Sequence, residues 1–162
     1  MTVEQEIEGI IAKEIKSELE NAGIDSIAVN GMLGTTVGLK GEEDASKSGF
    51  IFVKASPRQY TTPTIPECQI NVKVVMTIDA SKDWNGKTYM DVFELLMGKF
   101  ERWQKCMDDV HQLFTFNNFN ISGYQLGAGD TSLDQQKKVW QYVHEMTIYG
   151  CIQTNEWFGE GE

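Results

Sequence analysis

The sequence is poor in the residues that most often carry chemistry. Its 162 residues include two histidines, His111 and His144, and three cysteines, Cys68, Cys106 and Cys151. The cysteines are odd in number, far apart and in no CxxC or Cys/His cluster, which argues against a disulfide framework and a structural zinc site. No apolar run approaches the ~20 residues that a membrane span needs. Basic residues are scarce too, with 14 Lys and Arg against 24 Asp and Glu, a formal net charge of −10. Such a surface repels phosphate backbones and anionic membranes, because non-specific binding to either relies on clustered Lys and Arg. The first residues, Met1-Thr-Val-Glu-Gln-Glu-Ile-Glu8, are acidic and amphipathic, unlike the basic and then apolar start of a signal peptide. A reducing, cytoplasmic folding compartment is the expectation.

What is present is ordinary for a globular chain, 41% hydrophobic and 23% charged, and long enough to bury a core without metal or disulfide. Thr2 and Gln5 form a capping box, and Val3, Ile7, Ile10, Ile11, Ile15 and Leu19 recur at helical spacing up to Gly23. Residues 26–40 read as a weak strand at Ile27-Ala-Val29, a glycine-rich turn and a second short strand. Residues 41–48 read as an exposed loop. Gly49–Lys54 is a dense run of β-formers and reads as a well-buried strand. All three prolines, Pro57, Pro63 and Pro66, fall within 55–66, an extended loop or edge arm, since proline lacks the ladder donor.

The clearest pattern is a strict alternation. Cys68, Ile70, Val72, Val74, Met76 and Ile78 share one face, and so do Trp140, Tyr142, His144, Met146 and Ile148. Exchange of Val74 for Asp should therefore bury a charge and break the core. Between these strands come a turn at Asp83–Gly86, a Thr88 cap and an amphipathic helix over 89–107. Short strands at 113–116 and 120–126 and a loop over 127–136 follow. The expectation is one α+β domain over 1–154, with a flexible C-terminal tail at 155–162. Its sheet is largely antiparallel or mixed, of four to six strands, with two amphipathic helices packed on one face.

No motif for catalysis stands out. His144 lies mid-strand beside Trp140 and Met146, which suits a hydrogen-bonded core histidine, and Glu145 points to the opposite face. Gly127-Ala-Gly129 before Asp130-Thr-Ser132 lacks the following helix and the GK[ST] that a phosphate loop requires, and reads as a hairpin connection. The run Glu42-Glu43-Asp44 lacks calcium-loop spacing. No enzyme activity, metal or cofactor is expected. Trp157 and Phe158 are large apolar groups in an acidic tail; they either pack back onto their own domain or dock onto a neighbouring subunit.

Taken in order, these features resemble the tail-terminator (tail-completion) proteins of long-tailed bacteriophages. The resemblance runs through the first helix, the strand at 49–54, the Pro-rich turn into Cys68–Ile78 and the helix 89–107. It ends on Ile121-Ser-Gly-Tyr124 and Val139–Tyr149, and covers roughly residues 3–152. It implies a virion structural protein, folded and assembled in the bacterial host cytoplasm, whose subunits form a homo-oligomer, a hexameric ring. The ring would cap the tail tube and join it to head and connector proteins; a related minor-tail or neck role fits the same pattern. DNA would pass through without specific binding, and no membrane is involved. Arg58 and Tyr60, Asp130 and Leu133, and Trp157 and Phe158 are the candidate subunit-interface residues. The alternative is a small ligand- or peptide-binding α+β module, or a divergent enzyme, with a pocket between helices and sheet.

Overall fold

A computed structural model describes residues 2–31, 48–61, 67–116 and 118–152. The second short strand expected within 32–40, the acidic run 42–44, Pro63, Pro66 and the tail with Trp157 and Phe158 lie outside the described residues. Helix α1 (Val3–Asn21) opens on the capping box: the Gln5 N–H donates to Thr2 Oγ1 (3.1 Å) and the Thr2 N–H to Gln5 Oε1 (2.9 Å). It ends at Gly23, whose φ of +77° lets the Ile24 N–H reach back to the Leu19 carbonyl (2.9 Å). Strands β1 (Ile27–Gly31), β2 (Gly49–Ala55), β3 (Gln59–Tyr60) and β4 (Glu67–Asp79) follow. Helix α2 (Tyr89–Lys105) is capped by Thr88 and Asp91, and α3 (Met107–Phe114) continues from it after a break at Cys106. Strands β5 (Phe119–Asp134) and β6 (Val139–Ile152) close the chain.

The strands form one six-stranded sheet in the order β1-β2-β4-β6-β5, with β3 beside the start of β4. Among the described strands only β1 and β2 run parallel, so the sheet is mixed and the fold is α+β. The long strands alternate as the sequence predicts, and the inward residues Cys68 to Ile78 are fully buried. Helix α1 packs over β1 and β2, and α2 and α3 over β5 and β6, all against that inward face. Lys99 of α2 ties the two halves by reaching Glu14 (3.0 Å) and Glu18 (3.3 Å) of α1.

Three expectations change. Residues 113–114 end a third helix and are not a strand, because Val110 and Phe114 stand one helical turn apart and both bury against the core. Residues 127–134 belong to β5 and are not a loop. The chain takes up its extra residue as a bulge between Leu126 and Gly129, and the hairpin turns only at 135–138. A Cβ on Gly129 would collide with the Tyr142 hydroxyl and lie 2.8 Å from His144 Nδ1, so the glycine pattern serves strand packing. Finally, β2 is buried on one face only. Ile51, Val53 and Ala55 point inward, while Phe50 and Lys54 are exposed on the other side.

Candidate interaction surfaces

Among the described residues, β1 pairs with β2 only as far as Val53, and no described strand lies beside the backbone of β2 beyond that point on that side. Helix α1 fills the role with two carboxylates one turn apart. The Ala55 N–H donates to Glu8 Oε2 (2.8 Å), and the Arg58 N–H donates to Glu4 Oε2 (2.7 Å). The Arg58 guanidinium also donates to Glu4 through Nε (3.0 Å) and Nη2 (2.8 Å). Burial by itself would raise the Glu4 carboxyl; the Arg58 side-chain and backbone bonds outweigh it and hold the group below its ordinary value. The same bond to Glu4 pushes the Arg58 guanidinium up. Arg58 is therefore a clamp between α1 and the β2–β3 connection, not a free interface cation. Its neighbour Tyr60 is 44% exposed on β3.

Asp130 and Leu133 lie on β5, an edge strand of the sheet among the described residues. Asp130 pairs with Val143 and faces outward, whereas Leu133 pairs with Trp140 and is on the helix side, 42% exposed. Tyr60 pairs with Cys68 at the start of β4, and Asp130 sits level with Val75 near its end. The two groups thus occupy different edges and different ends of the sheet.

The inventory of reactive groups matches a core more than a site. His144 is buried, its Nδ1 2.6 Å from the Tyr142 hydroxyl and its Nε2 without a hydrogen-bond partner among the described residues. Burial depresses its pKa, although Glu145 and Glu101 pull the other way. In the unfolded chain the ring titrates near 6.5, so below that pH the unfolded state takes up a proton that the folded state refuses. Stability should fall as pH drops from about 6.5 through the depressed folded value, by at most ~1.4 kcal/mol per pH unit. Urea unfolding at pH 7.5 and 5.5 measures this, and His144→Gln should flatten the slope; an equal slope in both proteins would locate the titration elsewhere.

His111 is exposed on α3. Burial pushes the Cys68 thiol up to about 11, which makes it an inert core group. Among the described residues no three His, Cys, Asp or Glu side chains gather as metal ligands, and no helix is long and apolar enough to cross a membrane. The space between helices and sheet holds the core. An open groove of about 550 Å³ lies instead at one end of the sheet, lined by Ser48, Phe50, Asp79, Ser81, Lys137 and Lys138 among others. Its carboxylate is already engaged, since Asp79 accepts from the Ser81 hydroxyl (2.6 Å) and N–H (2.8 Å), bonds that lower its pKa. Neither histidine reaches it.

Sequence reasoning missed Glu4 and Glu8 as structural carboxylates. The available signal was their position one turn apart on the buried side of α1, next to Ile7 and Ile11. It also missed the outward pair Phe50 and Phe52, whose period of two was visible within the apolar run. Set against known protein families, the chain matches no family profile, and no curated protein sequence matches it.

Proposed function

We propose that this chain is a structural tail protein of a phage or prophage, a tail terminator whose copies form a ring at the end of the tail tube. In this reading the subunit catalyses nothing and binds no cofactor. Its partners are further copies of itself and the neighbouring tail and head-connector proteins, within the virion. The observation that carries the reading is the separation of two unlike surfaces on one rigid sheet: the β3 arm with Tyr60, and the β5 edge with Asp130 and Leu133. A closed ring of head-to-tail contacts needs two such patches, because each copy must offer one and receive the other. The resemblance in element order supplies the biological setting.

The charge fits as well. Six copies at −10 each would give an acidic assembly that lets DNA pass with few phosphate contacts. Sedimentation velocity and electron microscopy of the full chain test the proposal, with six-fold rings as the expected result. A strict monomer at high concentration would overturn it.

A further inference from the structure

The face of the sheet opposite the helices carries an apolar row without a cover among the described residues. Phe52, Val75 and Val143 stand in register across β2, β4 and β6, all only partly buried. Phe50, 41% exposed, stacks on Phe52 with ring centroids 5.8 Å apart and planes within 9°. Two residues from Phe52, Lys54 lies directly opposite Lys73, whose other cross-strand neighbour is Glu145, and all three are exposed. In a chain of net charge −10, two lysines against one carboxylate leave a positive spot beside an apolar one, and its chemical complement is an aromatic group flanked by carboxylates.

One segment of the sequence has that composition, Glu156-Trp157-Phe158-Gly159-Glu160. It cannot reach the row on its own subunit. Strand β6 ends at Ile152, and Val143, level with Phe52, lies nine residues back along it, roughly 30 Å. Trp157 is five residues past Ile152, at most ~18 Å of extended chain. The chain also leaves β6 heading away from the row, so it would spend residues turning back. Contact must come from another molecule.

We infer that residues 156–160 of a second copy dock on this face, with Trp157 and Phe158 on the Phe50–Phe52–Val75–Val143 row and the flanking glutamates over Lys54 and Lys73. This deepens the self-assembly reading and rests on it: each subunit gives a tail and receives one, which is a head-to-tail contact. It also assigns a role to the outward phenylalanines, which core packing does not explain.

The test uses the full chain carrying Trp157→Ala and Phe158→Ala as receptor, with a fluorescently labelled peptide of residues 153–162 as probe. Anisotropy should show saturable binding, weakened more than about tenfold by adding Phe50→Ser and Phe52→Ser to the receptor. Binding should also weaken several-fold between ~0.05 and ~0.5 M salt as the Lys54 and Lys73 contacts are screened. Circular dichroism of the receptor variants confirms that each is folded. No binding, or equal binding to both receptors, overturns the inference. Sedimentation of the unaltered chain is scored separately: oligomers without peptide binding would assign the contact to another surface and leave the ring reading standing. Peptide binding with a monomeric chain would sink the ring and keep the docking face.

Discussion

Val72→Asp is expected to leave the chain unfolded at room temperature. Val72 sits on the inward face of β4 with no exposed surface, and its cross-strand neighbours are Ala55 and Met146. A carboxylate there meets no hydrogen-bond donor from either neighbour, so it must be buried charged or titrate to its neutral form. Losses above ~4 kcal/mol are typical of this mechanism, and total stabilities are only about 5–15 kcal/mol. Far-ultraviolet circular dichroism and the urea midpoint measure it; a native spectrum with an unchanged midpoint would mean that the inward face is misassigned. Val74→Asp is the softer version of the same experiment. Val74 lies directly opposite His144, whose imidazole can take a proton and pair with the new carboxylate. Its loss should be smaller and should change with pH through the histidine range.

Gly49→Ala should cost about 3 kcal/mol or more. Gly49 opens β2 at φ +148°, a conformation that residues with a Cβ rarely adopt. A Cβ there would also collide with the Thr77 carbonyl oxygen and lie 2.9 Å from the Ile78 Cα. Both are backbone atoms of β4, the strand that pairs with Gly49, so neither can swing aside as a side chain would. Relief requires moving the first β2–β4 pair, which weakens the strand carrying Ile51, Val53 and Phe52. Gly98→Ala on α2 is the matching control, since its Cβ would meet nothing within 4 Å. There the change should stabilise by roughly 0.5–1 kcal/mol, through helix propensity alone. Urea midpoints moving in opposite directions for the two substitutions would confirm both assignments. A similar small shift at both sites would count against the geometry at Gly49.

The sequence by itself determined the elements whose signal is local and repeated. Thr2 with Gln5 marks a helix start because the cap partners lie three residues apart, and Thr88 marks another as a cap residue before an amphipathic run. The alternation in β4 and β6 marks their inward faces because a sheet has period two. Position, pairing and partners needed the tertiary structure. Parallel pairing of β1 with β2 and the order of the strands depend on contacts far apart in sequence, which no local period encodes. Gly127 to Asp134 looked like a loop because its residues are small and polar, yet the β6 ladder holds it as a bulged edge strand. Arg58 read from the sequence as a candidate interface residue, and only the fold brought Glu4, 54 residues away, onto its guanidinium. The outward row is the sharpest case. The run at 49–54 shows that the strand is apolar on both sides, but only the packing of all three described helices on one face decides which phenylalanines no described residue covers.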